Sequence, residues 1–507
     1  MKKKLIYIVL IPFLILTLFP QHTAVQAEED QLAEFSVVNE IIYDIFVDRF
    51  NNGGQKPSDQ IDLDDPLAYH GGDIVGIIDK LNHLQTLGFT TISVSPIMEN
   101  APGGYHGYWI EDFYSVETEF GQMEDVIKLV EEAHKRDIKV MLELVTNYVA
   151  KSSPLVEQYP DWFVEVDVEP IPATEWLHEV VAFDQTNPAV QDYLIDVAKF
   201  WVEETGIDGF KLHAADQASP EFLERLTTEL KVNDPYFFII ATTLQGNRDM
   251  EHLHDIEYID AIANDRVYEK MNEVFMQVDK PVSELSELRA DNASTRDLLY
   301  IDNILTPRFS NNFAEQGRNA VTTWTMALSY LYFTKGVPII YQGSEVPMYG
   351  PGFPENQYLV DYTSGDPDLE KVYERMSAIR QQFPSLARGD MEELAVDHGF
   401  SLWKRTLGNE EVYVAINNDS ESRYVTIPSL GPDFQLRGLI HDDTVRENEN
   451  GEFVIGLDRE TAEVYMIEQN TGLNWGFISF VAGVFIIFIG FIIFLSRKQK
   501  QRERNQS

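Results

Sequence analysis

From Ile41 to Gln382 the chain alternates between short β-like runs and longer amphipathic stretches. Strands are predicted over Ile41–Phe46, Thr91–Val94, Lys139–Val145, Gly209–Leu212, Phe237–Thr242, Tyr258–Ala263, Leu298–Asp302 and Pro338–Tyr341. Helices are predicted between several of them. Met123–Arg136 gathers Val126, Ile127, Leu129, Val130 and Ala133 among charged neighbours, and Ala189–Glu204, Glu221–Leu230, Arg318–Thr334 and Asp368–Gln382 read the same way. Eight strand–helix units predict an α/β fold, a (β/α)8 barrel over residues 28–390. A doubly wound open sheet is the other architecture such alternation allows, but no Gly-rich phosphate turn follows the first strand. One connection, residues 148–184, has no clear period and contains Tyr159-Pro160-Asp161-Trp162-Phe163 and Pro170-Ile171-Pro172. Long connections in barrels gather at the C-terminal face, where sites are built.

Beyond about Arg388 the pattern changes. Phe400–Thr406, Glu411–Asn417, Ser422–Ile427 and Phe453–Ile455 are short β-like runs between Gly/Asn turns, predicting an antiparallel β-domain over residues 391–470. After a linker, residues 471–476, the 19 uncharged residues 477–495 are long enough to cross a bilayer. Arg497, Lys498, Lys500, Arg502 and Arg504 follow, which places the tail 496–507 on the cytoplasmic side. At the other end, Lys2–Lys4, an apolar run and Val25-Gln26-Ala27 read as a signal peptide, residues 1–27; an uncleaved anchor is the other reading. The expected location is therefore the cell membrane, with the globular part outside.

The 507 residues hold 83 acids against 39 bases and no cysteine. Thiol catalysis, disulfides and cysteine–metal sites are excluded. The charge balance argues against nucleic acid as a partner. The acidic excess alone describes a solvated surface and marks no site.

Specific motifs narrow the reading. Asp48-Arg49-Phe50, Tyr69-His70-Gly71-Gly72-Asp73, Tyr105-His106-Gly107-Tyr108-Trp109, Gly206-Ile207-Asp208-Gly209-Phe210, Asp302-Asn303 with Thr306-Pro307-Arg308-Phe309, and Pro338-Ile339-Ile340-Tyr341-Gln342-Gly343 with Glu345 occur in that order. Together the chain resembles the α-amylase family, glycoside hydrolase family 13, from about residue 38 to 470. The resemblance implies that 148–184 is the family's inserted B domain and that 391–470 is its C domain. It also implies an α-glucan or other oligosaccharide as ligand.

At the catalytic positions the resemblance fails. Retaining glycosidases use one carboxylate as nucleophile and one carboxylic acid as proton donor. The nucleophile pattern reads Gly209-Phe210-Lys211-Leu212-His213, which puts His213 at that position. Thr242 stands where the general acid belongs, and Leu305 where the family's third carboxylate belongs. Glu143 and Asp216 are the fallback carboxylates for a rearranged pair. His106, Tyr108, Trp109, Lys211, Asp302 and Asn303 remain as candidate sugar contacts, with Tyr108 at the family's stacking position. For the family's structural calcium the resemblance points to Asn147, and for a second site to Asn52, the Gly71 carbonyl and Asp73; no organic cofactor is expected. The reading is a membrane-anchored α-amylase-family protein of carbohydrate metabolism or binding that has lost its catalytic acids. An active hydrolase with a rearranged pair, and a cell-surface interaction domain without a sugar ligand, stay open.

Overall fold

The computed structural model describes residues 36–54, 61–244, 251–289, 293–470 and 475–504. The signal-peptide expectation for residues 1–27 lies outside them, as does most of the expected linker.

Eight parallel strands close a barrel. They are β1 (Ile42–Ile45), β2 (Thr91–Val94), β3 (Lys139–Leu144), β4 (Gly209–Leu212), β5 (Phe238–Ala241), β6 (Ala261–Ala263), β7 (Asp297–Leu299) and β8 (Val337–Tyr341). Each pairs with its sequence neighbours, and β8 returns to β1 with Ile42 opposite Ile339. All eight predicted strands are present, so the open-sheet alternative falls. β6 and β7 are shorter than predicted, because Tyr258–Asp260 and Tyr300–Asp302 lie outside the ladder.

Helix boundaries follow from local chemistry. Asn187, Ser219 and Asp366 each cap a helix with a side-chain oxygen, and each is followed by a proline at the first helical position. Gly206 ends the helix Pro188–Thr205 in the left-handed region, at φ 69°. Helices Asp265–Phe275 and Ser283–Arg289, which the pattern did not separate, fill the β6–β7 connection.

The connection after β3 is ordered. Tyr148–Ala150, Phe163–Val164 and Val180–Phe183 form a three-stranded sheet, and a 3-10 segment, Pro172–Glu179, precedes its last strand. Strands of two to four residues are too short to show a period of two, which is why this stretch read as irregular.

The C-terminal domain has eight strands: β9 (Asp390–Asp397), β10 (Phe400–Leu407), β11 (Glu410–Asn417), β12 (Arg423–Pro428), β13 (Phe434–Gly438), β14 (Thr444–Arg446), β15 (Glu452–Leu457) and β16 (Thr461–Gln469). Six form one antiparallel sheet, in the order β9-β10-β11-β16-β13-β14, while β12 pairs with β15. Leu402, Tyr413, Leu436 and Tyr465 pack with Val425, Phe453 and Ile455 in its core. Asn418 fastens the domain to the barrel, its amide donating to the carbonyls of Val274, Gln277 and Lys280.

The chain ends in the helix Trp475–Arg504. Its segment Ser479–Lys498 is long and apolar enough to cross a membrane, and none of it is buried against the rest of the protein.

Candidate functional site

Side chains on a strand alternate between faces, so one barrel face can be followed upward two residues at a time. The lower interior is apolar: Ile42, Met141, Ile240, Ala263, Tyr300 and Ile339 pack together there. Two residues further on, toward the C-terminal ends of the strands, the same face carries Asp44, Glu143, Thr242, Asp265, Asp302 and Tyr341. Lys211 follows Gly209 in the same way. A polar layer therefore lies on an apolar one, at the end where barrel sites are built.

Glu143 is the hub of that layer. It is only 4 % exposed. One oxygen, Oε1, accepts from His213 Nδ1 at 2.7 Å and from the Tyr108 hydroxyl at 3.2 Å. The other, Oε2, lies 3.0 Å from Lys211 Nζ, which also meets Asp44 Oδ1 at 2.5 Å. Burial pushes the Glu143 carboxyl up, but Lys211 and His213 outweigh it and hold the group ionised, at about 2. Asp44 moves the other way, since burial exceeds the pull of Lys211. Lys211 itself is held above its ordinary value by its two carboxylates, against the effect of burial. His213 is buried, and its Nε2 has no hydrogen-bond partner.

The remaining positions separate into two cavities. An inner cavity of about 40 Å³ is lined by Thr242, Asp44, Asp265, Asp302, Asn303 and Tyr341, among others. Thr242 donates its hydroxyl to the Leu212 carbonyl at 3.1 Å. Asp302 accepts from the Phe309 amide at 3.0 Å and from the Ser344 hydroxyl at 3.2 Å, and so holds the loop that follows it. Burial raises the Asp302 carboxyl, against the pull of Arg308. Asn303 closes its own turn by accepting from the Leu305 amide at 2.9 Å. Asp216 lies just beyond β4, where its Oδ1 accepts from the Leu244 amide at 2.8 Å.

The outer cavity measures about 340 Å³ and is lined by Leu305, Ile304, Trp109, Trp176, Phe353 and Tyr105, with Tyr108 and His106 at its inner edge. Tyr108 itself is 4 % exposed. Trp176, on the 3-10 segment of the connection after β3, stacks on it with centroids 4.6 Å apart and rings 24° from parallel. His106 stacks on it at 5.5 Å, and His213 approaches it at 4.5 Å. Trp109 sets its edge on His106 and donates Nε1–H to the Trp176 carbonyl at 2.9 Å. Burial, with Arg49 and His213 nearby, lowers His106 to about 3, so its ring is neutral and accepts from the Tyr108 amide. The expected sugar contacts His106, Tyr108 and Lys211 are thus held by protein partners.

The Asn147, Asn52 and Asp73 Oδ1 oxygens named for calcium are likewise engaged. Asn147 Oδ1 accepts from Gln185 Nε2 at 2.9 Å, and the same nitrogen donates to the Thr146 carbonyl at 2.8 Å. Asn147 Nδ2 donates to the carbonyls of His213 and Ala214. An N–H group points at the oxygen a cation would take, and the nearby carbonyls accept hydrogen bonds from side-chain amides, so this donor set does not fit calcium. At the second place, Asn52 Oδ1 accepts from the Gly54 amide. Asp73 Oδ1 accepts from the amides of Gly53 and Gly76, capping the helix Ile74–Thr86. Gly71 lies beside Asn52 at φ 85° and donates its N–H to Asp48. These groups hold a turn together. Among the described residues no three Asp, Glu or His side chains gather in a cluster fit for a metal.

Sequence reasoning missed the contacts of Asp44, Gln185 and Trp176. Asp44 had a signal: it is the one acid inside the apolar run Ile41–Phe46. Gln185 and Trp176 had none, because their roles depend on how the connection after β3 folds back.

Comparison with known proteins agrees with this architecture. The family profile of the α-amylase catalytic domain matches residues 44–178, and that of the α-amylase C-terminal domain matches residues 389–465. An Anoxybacillus α-amylase structure is 37 % identical, with TM-score 0.80, over 86 % of this chain and 100 % of that one. The Geobacillus thermoleovorans α-amylase, solved with acarbose, is 35 % identical, with TM-score 0.78, over 86 % of this chain and 100 % of its own. A β/α-amylase of Paenibacillus polymyxa is 28 % identical over 84 % of this chain, which spans only 37 % of that protein's length. With its closed barrel, its C-terminal β-domain and relatives matched over their whole length, the chain belongs to the α-amylase family, glycoside hydrolase family 13.

Proposed function

We propose that this protein is a non-hydrolysing member of its family that binds short α-glucan segments in its outer cavity, with its globular part held outside the cell by the C-terminal helix. The observation that carries this reading is the state of Glu143. It is the carboxylate bonded to His213, the residue at the family's nucleophile position. Held ionised at about 2, it has no proton to give a leaving oxygen at neutral pH. Both of its oxygens are taken by protein donors, Lys211 on one and His213 and Tyr108 on the other. Thr242 is far too weak an acid to replace the missing donor, and Leu305 offers an oxocarbenium-like transition state no charge. A relative supports the ligand class, since the Geobacillus thermoleovorans α-amylase was solved with acarbose. The apolar helix Ser479–Lys498, with Lys500 just beyond it, supports the anchor.

The decisive experiment incubates the full chain, in a detergent without a sugar headgroup, with starch and with a nitrophenyl maltoside. The expected result is no release of reducing ends above the level of the Glu143→Gln, Asp216→Asn double variant. Turnover that this variant abolishes would replace the proposal with an active hydrolase using a rearranged pair. A calorimetric titration with maltotriose tests binding, and no heat at millimolar sugar sinks the glucan-binding half. Separation of membranes from soluble protein, with and without residues 475–507, tests the anchor.

A further inference from the structure

Trp176 lies where a flat ligand would pack on Tyr108. Its indole is nearly parallel to the phenol ring and at stacking distance. The same indole is 5.8 Å from the His213 ring and 6.0 Å from the His106 ring, so one side chain of the protein touches the whole floor that a pyranose would meet. It is 8 % exposed.

The floor beneath it is chemically mismatched with an indole. His213 Nε2 is buried and lacks a partner, while Nδ1 is taken by Glu143. Buried ring nitrogens are nearly always hydrogen-bonded, and leaving one unpaired has a free-energy cost. An indole face supplies no hydrogen bond in the plane of the imidazole, whereas a sugar hydroxyl would. A polar position is therefore covered by an apolar ring.

The backbone under that ring is fixed. The Trp176 carbonyl accepts from Trp109 Nε1, and Trp176 belongs to a 3-10 segment kinked at Thr174, with φ −124° and ψ 21°. The indole also borders the outer cavity of about 340 Å³. The side chain thus lies between Tyr108 and His213, on which it packs, and the cavity, which Trp109, Phe353 and Leu305 line and whose edge Tyr108 reaches.

We propose that Trp176 is the specificity-determining residue of the site: its indole takes the place of the innermost pyranose and confines an α-glucan ligand to the outer cavity. This rests on the glucan-binding reading given above. It makes the closure of the inner position a property of one side chain, independent of the missing carboxylates. Loss of catalytic acids and loss of the inner sugar position are then two separate changes, and either can be reversed alone.

The test titrates the full chain with glucose, maltose and maltotriose by calorimetry. Trp176→Ala is expected to raise the affinity for maltose by about tenfold, the worth of one good aromatic stacking contact. Trp176→Phe, which keeps a ring in place, is expected to stay near the original affinity. Adding Tyr108→Leu to Trp176→Ala is expected to remove the gain. The proposal is overturned if folded Trp176→Ala binds maltose no better than the unaltered chain. Melting curves establish folding, and Trp176→Leu substitutes for the alanine variant if that one does not fold. A crystal of the unaltered protein soaked in maltotriose tests the same point independently. A sugar on the outer side of an intact Trp176–Tyr108 stack supports the proposal, and a sugar ring on Tyr108 ends it. An unaltered chain that binds no glucan, with a Trp176→Ala variant that does, sinks the proposed function and the confinement to the outer cavity, and keeps only the closure of the inner position by Trp176. Equal binding by both does the reverse.

Discussion

Glu143 and Asn147, four residues apart at the end of one strand, are both closed off by protein side chains, but by opposite means. Around Glu143 the closure is ionic: one buried and one largely buried carboxylate share one lysine, and the imidazole beside them has an unpaired nitrogen. Around Asn147 it is neutral. Two side-chain amides interlock with the carbonyls of Thr146, His213 and Ala214, and Gln185 Oε1 takes the Ser219 amide at 2.7 Å. The difference teaches two ways to satisfy buried polar groups. Amides supply both donors and acceptors, so a neutral junction pairs its polar atoms internally. A cluster of carboxylates, lysine and histidine needs its charges balanced as well.

The sharpest way to break this comparison is to remove the shared lysine. Lys211→Met leaves Asp44 and Glu143 buried without their cation. A loss of about 3–5 kcal/mol is expected in urea unfolding, the usual result of stripping one partner from a buried ion pair. A loss below about 1 kcal/mol, typical of an exposed pair, would mean that water reaches the cluster.

Glu345 shows what a buried carboxylate does without a cation bonded to it. Its partner is the Tyr43 hydroxyl, at 2.7 Å. Burial raises its carboxyl to about 7, while Tyr43 and more distant Arg308 pull it down. Its folded value lies above its unfolded one, so the folded state holds the proton more tightly. The stabilisation is present at low pH and is lost as pH rises from about 4.5 to 7, by about 3 kcal/mol for a shift of this size. Glu345→Gln should flatten that part of the stability–pH profile. An unchanged slope would assign the pH dependence to other groups.

Gln185→Ala probes the neutral closure. It unpairs Asn147 Oδ1, the Thr146 carbonyl and the Ser219 amide together, and a loss of about 2 kcal/mol is expected from thermal or urea unfolding. A chelator is expected to leave the melting temperature of the unaltered protein unchanged. A drop of several degrees on chelation would restore calcium to this junction.

Much of this molecule can be read from its sequence, and the parts that cannot have a common cause. The barrel strands announce themselves because each is a short β-like run and amphipathic stretches separate several of them. The departures from the family's pattern at His213, Thr242 and Leu305 are visible because flanking motifs fix the register. What packs around those positions is illegible. Trp176 and Gln185 reach the site from a connection whose strands are too short to show a period, and their contacts are set by tertiary folding. In the C-terminal domain β9, β13, β14 and β16 escaped notice. β9 and β14 are largely exposed edge strands, so burial imposes little alternation on them.

The smallest expected effect concerns the bond that steadies Trp176. Trp109→Phe keeps an aromatic ring beside His106 but removes the N–H that meets the Trp176 carbonyl. About 1 kcal/mol of stability should be lost, since one neutral hydrogen bond is removed and its acceptor lies at the edge of an open cavity, where water replaces the donor. Because Trp176 is then held by stacking alone, its fluorescence should become more accessible to acrylamide than in the unaltered protein, with Trp176→Phe giving the background from the other tryptophans. If quenching is unchanged, packing against Tyr108 fixes the indole without the hydrogen bond. The neutral contacts of the mouth would then be as self-sufficient as the amides around Asn147.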